Sequence, residues 1–398
     1  MRILKFFGAF LITAVLIFGF VLGWNWNAFT IFLDNRDALM EGNEWISKTH
    51  SLRGLSEFMG ENPQFASVAS KVVEQPDSAI YLEENLPRVM GTTANFFILA
   101  AYAIEIDRGS KDADDLLNLD EISRFKLSNI EESVHREAFR TANRRGWVEE
   151  NSISLINALK LLAEYNDFAL ADYLWWNAGE TIWDELAEMQ EISQSEMPLP
   201  YSGLHLAISP QFSDMEFEVL LNHWQNTEHT EWRDHVIELS RLYVNDEESR
   251  SDFQQALNRN RLGTTFMQER DALRLFPKTT AREMTDLLEQ AWNGEFVNEH
   301  VSSLIKDFMR WPLESQRGIK NDFSDYGAIY DNRMGLMNGI NFGTSAYTGD
   351  TTVQALFLDQ LPIGFWFHAS GGHMHQDFMQ RLIYDPALIQ QMKRVVKP

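Results

Sequence analysis

The chain has 398 residues, 44% of them hydrophobic, enough for one large domain or two modest ones. Its formal net charge of −24 gives a surface that repels nucleic acid and anionic lipid headgroups, and no basic run reverses that, so nucleic acid is not an expected partner. Cysteine is absent, which excludes a disulfide framework, a thiol nucleophile and a lipoprotein-type cysteine anchor.

Arg2 and Lys5 precede an uninterrupted apolar run from Phe6 to Gly23, and Trp24 and Trp26 follow it. Leading positive charge and trailing interfacial indoles read as an uncleaved membrane anchor; a cleaved export signal ending near Val21-Leu22-Gly23 is the alternative. Either way residues 1–27 form a targeting segment, and residues 28–398 are expected outside the cytoplasm, in the periplasm or at the cell surface.

The pattern then predicts an amphipathic helix over Leu52–Met59, a strand over Phe65–Val73, a turn at Glu74–Asp77 and a second strand over Ser78–Leu82. Pro87–Gly109 reads as a loop running into a buried helix, because Phe96, Phe97, Leu99, Ala100, Ala103 and Ile104 leave it apolar on more than one side. Thr92 or Thr93 is placed to cap that helix, and Arg108-Gly109 to end it. Residues 111–150 are charged and mixed. Asn151–Trp176 reads as a long helical region with Ile153, Ile156, Leu159 and Leu162 at helical spacing, and Pro210–Leu275 as mostly helical. Thr280 and Glu283 form a capping box ahead of Met284, Leu287, Leu288 and Ala291. Strand returns at Tyr326–Ile329, strand pairs are expected over Ala355–Phe367, and a terminal helix over Phe378–Val396.

This order of elements, with three short runs, resembles the serine β-lactamases and penicillin-binding DD-peptidases, in particular their class A-like members. The resemblance spans about residues 50–398. It implies a mixed α/β fold, an α+β sandwich with a mainly antiparallel sheet flanked by helices and a helical subdomain at about 110–290. In the family a Ser-x-x-Lys opens the buried helix; here Thr92 takes the serine position and Asn95 the lysine position. A Tyr-Ser-Asp-Asn run corresponds to Tyr165-Asn166-Asp167-Phe168. A Lys-Thr-Gly strand motif falls at Tyr326-Gly327-Ala328-Ile329, with Ile329 in the lysine position and Tyr330 and Asp331 in place of the small residues, or in a second register at Asn341-Phe342-Gly343. No Glu-x-x-x-Asn lies between Glu180 and Tyr201, where class A enzymes carry a deacylating glutamate.

The family reaction is acyl transfer by a serine hydroxyl, deprotonated with the help of the lysine and assisted by backbone oxyanion donors. Asn95 cannot take a proton at neutral pH, and loss of a general base costs typically ~10²–10⁴-fold. Ile329 removes a charge-assisted hydrogen bond worth about 1.5–3 kcal/mol. Asp167 survives as a backbone brace. These substitutions make a pseudoenzyme the expectation, with a binding or scaffolding role in the cell envelope and no cofactor. By resemblance, a peptidoglycan-like peptide or an envelope protein is the expected partner. The alternative is an acyl hydrolase that uses Thr92. A rival motif, His373-x-His375-x-Asp377 near His368, resembles the zinc run of metallo-β-lactamase-fold hydrolases. Only a helix remains downstream of it to supply further ligands, so it reads as a solvated loop. His223, His229 and His235 read as surface residues.

Overall fold

The computed structural model describes Leu33 and residues 35–312 and 320–396. The targeting segment expected at residues 1–27 lies outside these residues. Among the described residues, no helix is long and apolar enough to cross a membrane.

Five antiparallel strands form the main sheet: β1 (Ala66–Val72), β2 (Gln75–Leu82), β3 (Phe323–Asp331), β4 (Asn338–Ser345) and β5 (Thr351–Leu358), in the order β2-β1-β5-β4-β3. The first hairpin therefore docks on the last strand, Ala66 opposite Leu358 and Val72 opposite Thr352. β2 begins three residues earlier than the sequence pattern implies, at Gln75. It is an edge strand, so Pro76 needs no ladder partner on its outer side and the strand can run through it.

Side chains alternate cleanly across the sheet. Ala69, Ile329, Ile340, Phe342, Val353, Ala355 and Phe357 enter one core. Ala66, Val68, Tyr326, Ala328, Tyr330, Leu356 and Leu358 enter the other. The second core is closed by helices from both ends of the described chain: α1 (Leu52–Glu61), and α9 (Met374–Tyr384) with α10 (Pro386–Val395). The first is built on α2 (Asn95–Asp107), α3 (Leu155–Tyr165), α4 (Phe168–Ala178), α5 (Tyr201–Ala207), α6 (Ala281–Asn293) and α7 (Glu299–Met309).

Every residue of α2 from Asn95 to Ile104 is buried, which explains its apolar character all round. Neither threonine caps it. A 3₁₀ turn, Gly91–Ala94, precedes the helix, and the Thr93 hydroxyl donates back to the Met90 carbonyl at 2.7 Å. The long helical region splits into α3 and α4 because Asn166 is left-handed, with φ 54°, and Asp167 caps the new helix by accepting from the Ala169 N–H. Thr280 accepts from the Glu283 N–H, one arm of the expected box. The Glu283 carboxylate turns away and takes the Ser193 and Gln194 N–H groups.

The C-terminal region departs further from expectation. After β5 the chain makes no second strand: Pro362 leads into α8 (Ile363–Gly371). The terminal helix is two helices, broken at Asp385-Pro386, where the ring cannot continue a helix from the preceding turn. His373 sits in the exposed turn between α8 and α9, as the N-cap residue of α9, while His375 lies within α9 and is fully buried, not solvated.

Candidate functional site

The end of β3 meets the turn ahead of α2. Asp331, the last residue of β3, points to the same face as Ile329 and places its carboxylate against the backbone of that turn. The Thr92 N–H donates to Asp331 Oδ2 at 2.8 Å. Gly91, at φ 57°, makes this possible: a Cβ there would lie 1.8 Å from the same oxygen. The other carboxylate oxygen accepts from Arg333 Nη1 at 2.8 Å, and the same nitrogen donates to the Thr92 hydroxyl oxygen at 3.0 Å. Arg333 Nη2 reaches the Asn166 carbonyl at 3.0 Å, and the guanidinium lies over the Phe168 ring at 4.4 Å. The Asp331 side chain is wholly buried, so this is a desolvated pair held by hydrogen bonds on both sides.

Beneath it runs a chain of neutral groups. Asn95 Nδ2 donates to Asn166 Oδ1 at 3.0 Å, and Asn166 Nδ2 donates to the Tyr330 carbonyl at 2.8 Å. The Tyr201 hydroxyl shares its one proton between Asn95 Oδ1 and the Gly91 carbonyl, each at 3.2 Å. Burial raises the Tyr201 phenol well above its ordinary pKa, so it stays protonated. No group in this chain can accept a proton at neutral pH.

Tyr201 is itself positioned from behind. Asp172, on α4, accepts the Tyr201 and Ser202 N–H groups at 2.6 and 2.8 Å and so fixes the start of α5. Burial pushes the Asp172 carboxyl up to about 7 against those bonds. The Tyr201 ring stacks on Phe168 at 4.4 Å, and one turn on, His205 shares its Nδ1 with the Tyr201 carbonyl at 2.7 Å. That bond makes Nε2 the lone-pair nitrogen. Burial lowers the His205 pKa to about 4, so the ring is neutral.

Over Thr92 these residues enclose a cleft of about 150 Å³. It is lined by the apolar and aromatic groups of Phe168, His205, Phe276 and Trp366 and by the charged side chains of Glu131, Arg261 and Glu269.

Of the residues singled out in the sequence, Thr92, Asn95, Asn166 and Phe168 come together here. Asp167 faces away: its Oδ2 lies 2.7 Å from His135 Nδ1. Ile329 is packed opposite Ile340 in the α2-side core, and the strand's polar contribution comes from the Tyr330 carbonyl and the Asp331 carboxylate. Asn341, of the second register, lies on the other face and donates to the Tyr326 and Tyr330 hydroxyls. Asp331 falls in the last position of the Lys-Thr-Gly run, where the family has a small residue, and no role was expected of it; Arg333, just beyond the strand, carried no spacing signal. Among the described residues no group of three or more His, Asp and Glu is arranged to hold a metal ion. His375 is turned into the core beside Tyr330 while His373 is exposed, so the His-x-His run does not converge.

No protein-family profile matches this chain, and no curated protein matches its sequence. Solved structures match it in three dimensions. A β-lactamase from Sphaerobacter thermophilus superposes with a TM-score of 0.50 at 10% identity, over 83% of this chain and 95% of that one. A class A β-lactamase from Mycobacterium abscessus gives 0.46 at 11% identity, over 81% and 98%. The chain has the serine β-lactamase and penicillin-binding-protein fold, with helices packed on an antiparallel sheet. At these identities the likeness is one of fold alone.

Proposed function

We propose that this protein is a catalytically silent member of the fold, acting by binding or scaffolding in the cell envelope. The observation that carries this reading is the Asp331 carboxylate on the Thr92 N–H. Acyl transfer at residue 92 would need backbone donors free to receive a developing oxyanion. A buried carboxylate already takes one of them and would repel a second negative charge. Arg333 occupies a lone pair of the hydroxyl oxygen that would have to attack, and Asn95 and Asn166 present amides where a base is needed. Arg333 and Phe168 fill space that a substrate would require, yet an open cleft remains beside them. The envelope location rests on the apolar segment at residues 6–23, and the partner class, a peptidoglycan-like peptide or an envelope protein, on the fold likeness.

The test is covalent labelling. Incubation with a fluorescent penicillin, and separately with a fluorophosphonate, is expected to leave the intact mass unchanged, in the wild type and in Thr92→Ala alike. An adduct that maps to Thr92 and disappears in Thr92→Ala would replace this reading with that of a working acyl hydrolase.

A further inference from the structure

The cleft over Thr92 carries charge and hydrogen-bonding groups that the Thr92–Asp331–Arg333 cluster leaves unused. Three carboxylates line it, Glu131, Glu269 and Asp331, against two guanidiniums, Arg261 and Arg333. Two of the carboxylates are saturated. Asp331 serves Thr92 and Arg333, and Glu269 is held bidentately by Arg261. Glu131 is not. Its nearest cation is Arg333 Nε at 3.6 Å, beyond hydrogen-bonding distance, and its side chain is 29% exposed.

Glu131 is also held in place at some cost. It sits at φ 53°, a left-handed conformation that a residue other than glycine or asparagine adopts unfavourably, while Asn129 beside it tolerates its φ of 60°. The loop is kept there by Asn129, whose side-chain amide donates to the Leu257 carbonyl and to Asn258 Oδ1. The result is that Ile130 and Glu131 face the cleft together.

The remaining open polar atoms are of both kinds. Asn332 Oδ1 is buried without a partner, and His205 Nε2 is a lone pair. With the Glu131 carboxylate these are acceptors; the open donors are Arg333 Nε, the Thr92 hydroxyl proton and the Arg261 N–H groups that Glu269 does not take, and the two guanidiniums offset two of the three carboxylates. The charge left over is that of Glu131, and an ammonium supplies both that countercharge and donors for the two neutral acceptors. Phe276, Trp366, Met334 and Ile130 add apolar surface beside it. A volume of about 150 Å³ admits one ring or a short branched chain, because a cavity of that size holds benzene. The net charge of −24 favours the approach of cations over anions.

We infer that the cleft is a receptor site for a small organic ammonium with a compact apolar body, and that Glu131 is its charge partner. This deepens, and rests on, the reading of the site as a binding site without turnover.

The experiment is titration of the purified chain, by calorimetry at low ionic strength, with benzylammonium, benzyl alcohol and benzoate. These share a ring and differ in charge. Benzylammonium should bind at least tenfold more tightly than either of the others. Glu131→Gln should lower that affinity at least tenfold with the thermal midpoint retained. Glu57→Gln, which removes the same charge from an exposed pair with Arg53 on α1, should leave it unchanged. Benzoate or benzyl alcohol binding as tightly as benzylammonium overturns the inference, and that comparison needs no variant. So does an unaltered affinity in a folded Glu131→Gln protein. Labelling at Thr92 with the ammonium preference intact would instead remove the claim of catalytic silence and leave the ligand class standing.

Discussion

At the scale of single residues, the site is governed by a buried ion pair that doubles as a plug. Arg333→Met should leave the Asp331 carboxylate desolvated and unpaired, at a cost of about 3–5 kcal/mol in urea unfolding. The double variant Arg333→Met/Asp331→Asn should recover much of that loss, since the charge that needed a partner is gone. Additive losses in that cycle would show that the two side chains act separately. Gly91→Ala is expected to be at least as damaging to the local structure, because its Cβ would sit where the carboxylate oxygen now lies. Thr92, Asn95, Asn166 and Phe168 were legible in the sequence because each belongs to a short local run. Asp331 was legible only as an unexpected residue in a motif position; its contact with Thr92 was not, because the two lie 239 residues apart and only the folded sheet brings them together.

At the scale of elements, the misreadings share one cause. Hydrophobic spacing runs smoothly across Asn151–Trp176, so the pattern continues where the backbone does not. The break is made by one left-handed residue, Asn166, whose side chain is at once the bridge between α2 and β3. Asn166→Ala should lose both the bridge and the tolerated φ, a combined cost of about 2–4 kcal/mol. Asn166→Gly should keep the backbone and lose only the bridge, so unfolding in urea should rank wild type, Gly, Ala in falling order. The strand pairs expected after Ala355 failed for a similar reason. Leu361-Pro362-Ile363 is apolar enough for a strand, but Pro362 instead leads into α8. The sheet itself, the buried α2 and the first hairpin were legible, because there local propensity and tertiary burial agree.

For the whole molecule, three deeply buried titratable groups, His205, His375 and Asp172, make the largest contributions of their kind to the response to acid. His205 and His375 have pKa values lowered by burial to about 4 and about 3, so the unfolded chain takes up their protons first as pH falls below 6.5. The stability held in keeping them neutral is complete above pH 6.5 and is lost on acidification. Asp172 runs the other way. Its pKa, raised by burial to about 7, makes the folded state the better proton binder from about pH 4 to 7. Between about pH 4.5 and 6 the two histidines outweigh the one carboxyl by a single proton, so these groups should make stability fall by about 1.4 kcal/mol per unit of acidification. His375→Leu should flatten that slope in urea melts across this range. It should also be no less stable at pH 7, since both ring nitrogens of His375 are buried without partners.

The strand order has a consequence for how such a chain comes to be folded. β1 and β2 are the first strands of the sheet to be made, yet the strand that covers the inner edge of β1 is β5, the last of the five. During synthesis the hairpin waits with one edge open while the whole helical region emerges. Pairing then closes a very long loop, a step that is intrinsically slow. The interval before closure is when this protein is most exposed to a holdase or to aggregation through that strand.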